Sequence, residues 1–146
     1  DRIDTAPSRT LDMGCRVGSV SIWLSERYPE AWSFGVDVSP AMIDEATVRA
    51  AAAGSAARFS VGRNQSTGFD DGEFDLITLV NVPPPFDEIN RLLNVGGHAV
   101  VVYTRGPGTW FYSDAKRLEK GFRKYGMLTL ANGVRGRGEF FIAAKR

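Results

Sequence analysis

Residues 9 to 24, "RTLDMGCRVGSVSIWL", read as a short strand, a glycine-containing loop and the opening of a helix. Residues 10 to 13 enter the loop as the strand. Ser19–Arg27 leaves it as a helix, with Val20, Ile22, Trp23 and Leu24 supplying a broad apolar side. Such a loop brings bare backbone, and its N–H groups, up to a nucleotide-like ligand at the helix N-terminus. Gly14 and Gly18 supply the bare backbone, but Arg16 stands between them. The spacing is D-x-G-x-x-x-G. It matches neither the nicotinamide fingerprint G-x-G-x-x-G nor the phosphate loop G-x-x-x-x-G-K-[ST], which is absent from the chain.

Strand and helix signals alternate outward from this stretch. "AWSFGVDV" reads as a second strand running out at Asp37. "SPAMIDEATVRAAAAG" follows as a helix with Ser39 as N-cap, Pro40 at its first position and Gly54 as terminator. "ARFSVG" reads as a third short strand, and "EFDLITLV" as a strand apolar on both faces, the mark of a sheet interior. "VPPPF" ends that strand, "DEINRLL" is a short helix closed by "NVGG", and "HAVVVY" is the next buried strand. Residues 113 to 125 read as a helix, and "MLTLAN" and "GEFFIAAK" as an antiparallel pair around the turn-rich "GVRGRG". Alternation of this kind, closed by a hairpin, implies an α/β sheet covered by helices on both faces. With no repeat or low-complexity tract, residues 1 to 146 read as a single domain.

Composition narrows the class. Hydrophobic residues make up 43% and charged residues 24%, as in a soluble globular chain, and no apolar run approaches the roughly 20 residues of a membrane span. Cys15, the single cysteine, allows no intrachain disulfide and fits a reducing, cytoplasmic setting. The net charge of +1 hides an asymmetry: residues 1 to 100 carry a net −6 and residues 101 to 146 a net +7. No Lys/Arg block exceeds two residues, so solvated helix and strand faces account for the basic third, and nucleic acid is not the expected partner.

In open α/β sheets ligands sit beyond the carboxyl ends of the strands, where the strand order reverses. That places a ligand at "DMGCRVG", with Asp37 close by as an acceptor for both hydroxyls of a ribose. "LDMGCRVGSVSIWLSERYPEAWSFGVDVSPAMIDEA" resembles the first half of a class I S-adenosylmethionine-dependent methyltransferase, in the ubiquinone and menaquinone biosynthesis branch. That family shows L-D-x-G-C-G-x-G and, about 20 residues on, G-x-D-x-S-x-x-M. "FSVGRNQSTGFDDGEFDLI", "EINRLLNVGGHAVVV", "GFRKYGM" and "FFIAAKR" continue the resemblance over almost the whole chain.

The resemblance implies a Rossmann-like seven-stranded sheet, order 3-2-1-4-5-7-6, binding S-adenosylmethionine at its carboxyl edge. By position, Asp12, Gly14, Cys15, Arg16 and Gly18 would surround the methionine portion and Asp37 would hold the ribose. Val38 and Met42 would pack on the adenine, Asn64 would lie at its edge, and Val80 and Asn81 would border the reacting methyl group. No metal is expected. Two positions depart from the family: its middle glycine is Arg16 and its adenine-side aspartate is Arg63. Arg16 either enters the space of the cofactor or pairs with its carboxylate. Arg63 replaces an acceptor by a donor. The family's N-terminal lid is expected to be short or absent, leaving an open site for an oligomeric or other partner chain to cover.

Methyl transfer to a small-molecule acceptor is the function this implies. The alternative is a degenerate methyltransferase fold serving as a non-catalytic binding or partner subunit. "NVPPPF" partly matches the [DNS]-P-P-[YF] motif of amino-group methyltransferases, against a plain strand-ending role. Trp110, Phe111 and Tyr112 either cap an acceptor or pack a helix onto the sheet. His98, the only histidine, reads as structural.

Overall fold

The structure, a computed structural model, describes residues 5 to 146. Its strands are β1 (Arg9–Met13), β2 (Trp32–Asp37), β3 (Arg58–Val61), β4 (Phe74–Val80), β5 (Leu93–Tyr103), β6 (Met127–Arg135) and β7 (Gly138–Lys145). Its helices are α1 (Ser19–Arg27), α2 (Pro40–Ala53), α3 (Phe86–Leu92) and α4 (Ala115–Arg123). The strands form one sheet in the order β3-β2-β1-β4-β5-β7-β6, parallel except for β7, which runs antiparallel to both β5 and β6.

From β1 the chain steps one way through β2 to the edge strand β3, then returns to β4 and steps the other way. The reversal falls between β1 and β4. Right-handed crossovers then place α1 and α2 on one face and α3 on the other. Side chains agree: α1 packs on β1, β2 and α2, whereas Phe86 of α3 meets Phe122 of α4 edge-on at 4.9 Å. Leu11, Met13, Ile77, Leu79 and Val101 lie fully buried in the central strands between these layers.

Local chemistry sets most boundaries. Ser39 Oγ accepts from the Met42 amide at 3.3 Å, Pro40 opens α2, and Gly54 closes it. α4 is shorter than residues 113 to 125: the Asp114 carboxylate caps its start, accepting from the Arg117 amide at 2.9 Å, and the helix ends at Arg123. "NVGG" does not simply close α3. The chain passes straight into β5 at Leu93, which pairs with Phe74, and the next pairing is Leu76 with His98. The surplus residues on β5 are taken up as an irregularity in the ladder. β6 likewise runs through most of "GVRGRG", so Arg135 pairs with Gly138 and only two residues are left to turn. Among the described residues, no helix is long and apolar enough to cross a membrane.

Candidate functional site

The loop after β1 keeps its strand–loop–helix path through three residues of positive φ: Gly14 (72°), Arg16 (51°) and Gly18 (84°). Gly18 is required twice over, because a Cβ there would also collide with the Phe59 ring. Over Gly14 the space is already taken by the Val82 side chain, with Asn64 beside it. The amides of Gly14 and Cys15 both donate to the Val36 carbonyl, at 2.8 and 2.9 Å. Those of Arg16 and Gly18 donate to Asp37 Oδ2 at 3.0 Å and to the Cys15 carbonyl at 2.9 Å. The loop therefore does not present these N–H groups to a ligand, contrary to the expectation from its glycines. Phosphate cradles need such groups free.

Asp37, at the end of β2, does two structural jobs. Its Oδ2 holds the Arg16 amide and its Oδ1 holds the Ser39 amide at 2.9 Å, pinning the loop and the start of α2 to one carboxylate. A carboxylate offers about four lone-pair sites, so capacity remains for hydroxyl donors. Asp12, in β1, is buried, and its Oδ1 accepts from Thr78 Oγ1 of β4 at 2.7 Å. Burial, helped by the negative charge of Asp37, pushes its carboxyl up to about 7 against the opposing pull of the Thr78 hydrogen bond and the Arg16 charge. Burial, with Asp12 and Asp37 adding to it, pushes the Cys15 thiol to about 12. Cys15 is a packing residue, not a nucleophile.

Val38 and Met42 follow Asp37 and are 65% and 40% exposed, an apolar shelf at the carboxyl edge. Arg16 and Arg63 are both exposed, and Arg63 and Ser66 bracket the turn that carries Asn64. Val80 ends β4, half-buried. Asn81 follows at φ 56°, a left-handed conformation that asparagine tolerates better than most residues. Its amide is committed: Nδ2 donates to Thr104 Oγ1 at 2.7 Å, and Oδ1 accepts from the Thr104 amide at 2.9 Å. Asn81 thus clips the end of β4 to the end of β5. Its side chain is engaged in the protein, so any contribution to a ligand comes from its backbone.

The remaining candidates separate. Phe111 and Tyr112 pack on Tyr103, while Trp110 stands 85% exposed. His98 lies near the amino end of the parallel strands, the opposite edge from the loop. In "NVPPPF", Pro85 precedes α3 and Phe86 packs on Phe122, a structural use of the motif. Thr78 and Thr104 were not foreseen. Thr78 left a signal, a hydroxyl between Ile77 and Leu79 in an otherwise buried strand; Thr104 left none.

Comparison with known proteins bears on this geometry. The sequence profile of the methyltransferase domain family matches residues 10 to 97. The demethylmenaquinone methyltransferase of Thermus thermophilus is 32% identical over 107 residues, covering 68% of this chain and 49% of that protein. The malonyl-[acyl-carrier protein] O-methyltransferase of Legionella pneumophila is 34% identical over 112 residues, covering 72% and 39%. The chain spans about half the length, or less, of these relatives. Among solved structures, a methyltransferase from Aquifex aeolicus superposes with a TM-score of 0.83 at 14% identity, over 97% of this chain and 83% of that one. The geranyl diphosphate C-methyltransferase of Streptomyces coelicolor, solved with S-adenosyl-L-homocysteine, gives 0.83 at 16%, over 100% and 74%.

Proposed function

The chain belongs to the class I S-adenosylmethionine-dependent methyltransferase family, and from that premise we propose that it carries a methyl group from S-adenosylmethionine to a small-molecule nucleophile. The observation that supports this most is the conjunction at the end of β2. There Asp37, with acceptor capacity left over, is followed by the exposed apolar residues Val38 and Met42. A ribose and an adenine need those two chemistries side by side.

In this reading Asp37 receives the ribose hydroxyls, Val38 and Met42 receive the adenine face, and Asn64 borders it. Asp12, Gly14, Cys15, Arg16 and Gly18 surround the methionine portion, and Val80 and Asn81 border the reacting methyl through backbone. The cofactor supplies an electrophilic methyl on a sulfonium. A loop whose Gly14, Cys15, Arg16 and Gly18 amides are already satisfied, with the Asp37 carboxylate beside it, suits a ligand with positive charge better than a phosphate. Catalysis then rests on holding an acceptor in line with that methyl. Relatives named for demethylmenaquinone, malonyl-[acyl-carrier protein] and phosphoethanolamine support the broad acceptor class rather than one compound. A partner chain covering the open edge, and a cytoplasmic setting in keeping with the free thiol of Cys15, belong to the same proposal.

The test is thermal denaturation with and without saturating S-adenosylhomocysteine. Binding to the folded state alone raises the midpoint, by the equivalent of about 2.7 kcal/mol at a hundredfold excess over Kd. Asp37→Ala is expected to lose most of that gain while still unfolding cooperatively. An undiminished gain would remove Asp37 from the ligand site.

A further inference from the structure

Two loops meet at the corner of the carboxyl edge where β5 and β6 end. One is the segment between β5 and α4, residues 104 to 114, and the other is the two-residue turn from β6 into β7. They lie against each other. A Cβ at Gly106 would stand 3.4 Å from the Arg137 carbonyl oxygen, and one at Gly138 would stand 3.3 Å from that of Tyr103. The corner shares its edge with Asp37 but belongs to the other half of the sheet.

Cations gather at this corner without counter-charge. Arg105, Lys116, Arg117, Arg135 and Arg137 are all exposed, and none of the five is in a salt bridge among the described residues. The two acids of the same segments are engaged: Asp114 caps α4, and Glu139 Oε2 accepts from the Tyr112 hydroxyl at 2.7 Å. Like charges gathered in this way repel one another and do not serve the fold. Trp110 stands in the same loop as Arg105, more exposed than any other large apolar residue described. Its neighbours Phe111 and Tyr112 pack on Tyr103, so the indole projects from an anchored base.

From this pairing of unpaired cations with an outward indole we infer that the corner docks on an anionic lipid surface, resting on it without spanning it. Indoles settle at the level of lipid headgroups, and each Lys or Arg near an anionic leaflet adds attraction. Nucleic acid is met instead by cations along a groove or stripe that follows the phosphate backbone. Here they sit on two loop tips and the first turn of a helix, around a projecting ring. The inference goes beyond the methyl-transfer reading and stands whether or not the glycine loop holds a cofactor.

The experiment is co-sedimentation of the folded chain with vesicles of phosphatidylcholine, and of phosphatidylcholine mixed with phosphatidylserine, at low and raised salt. Binding to the mixed vesicles alone is expected, weakening as salt rises. Arg135→Gln combined with Arg137→Gln should lower the partition about thirtyfold, at roughly fivefold per cation. Trp110→Ala should lower it about tenfold and remove the blue shift of tryptophan fluorescence that accompanies binding. Lys120→Gln combined with Lys124→Gln removes equal charge further along α4 and should lower it no more than about threefold. The inference is overturned by no binding to mixed vesicles at low salt, by equal binding to neutral ones, or by equal losses in the two double variants. Retention on an RNA duplex without binding to vesicles also overturns it. The vesicle and salt comparisons on the native chain decide it even if a variant folds poorly.

Discussion

Arg16 holds a left-handed backbone, φ 51°, that costs a side chain bearing a Cβ on the order of 1 kcal/mol. Its guanidinium is exposed at the edge of the loop and not buried in the core. In the proposed site the obstruction it would offer a ligand is steric and partial. Arg16→Gly should raise thermal stability slightly and tighten S-adenosylhomocysteine by around tenfold, about 1.4 kcal/mol. Weaker binding in a folded Arg16→Gly protein would instead assign the guanidinium to the carboxylate of the cofactor. Asp12 makes a pH-dependent statement. Its carboxyl is raised from 3.8 to about 7 in the folded chain, so the folded state holds the proton longer than the unfolded one. Stability should then fall as pH rises from about 4 to 7 and level off above, by up to on the order of 4 kcal/mol from this group. Asp12→Asn, which can still accept from Thr78, should flatten that slope in urea denaturation between pH 5 and pH 8. An unchanged slope would show that Asp12 ionises in the folded state without penalty.

At the scale of elements, the clip between Asn81 and Thr104 fixes the ends of β4 and β5 at the edge where the proposed chemistry happens. Asn81→Ala loses both hydrogen bonds and places a Cβ residue ill suited to φ 56°, and should cost about 2–4 kcal/mol in equilibrium unfolding. Asn81→Gly keeps the conformation and should cost about half as much. If the two cost the same, the strain argument fails. This clip was not legible in the sequence, because it joins residues 23 apart through side chains whose types occur in any loop. Glu88 was hidden for the same reason. It is buried in α3, where burial alone would raise its pKa, yet Arg91 and the Thr67 amide and hydroxyl hold it below the ordinary value. By contrast, α2 could be read to within a residue at each end from Ser39, Pro40 and Gly54 alone, since caps act locally. The start of β5 could not, because Gly96 and Gly97 look like a helix terminator until the pairing of Leu93 with Phe74 draws them into the ladder. The sequence marked Asp37 as a candidate site residue but did not reveal it as the anchor of the loop. Its partners are backbone amides, which carry no residue signature.

For the whole molecule, alternating strands and helices foretold a covered α/β sheet, and the family resemblance supplied its strand order. The exposed shelf of Val38 and Met42 beside Asp37 is where the proposed cofactor would meet that fold. The basic C-terminal third sits away from it, on α4 and the hairpin, where Lys116, Arg117 and Arg135 are exposed. The central claim is that the carboxyl edge at β1 and β2 still takes S-adenosylmethionine despite Arg16 and Arg63. Calorimetric titration of the unaltered chain with S-adenosylhomocysteine tests it most directly. The account predicts saturable binding of one ligand per chain. A flat titration of folded protein would contradict it and leave a methyltransferase fold without its cofactor.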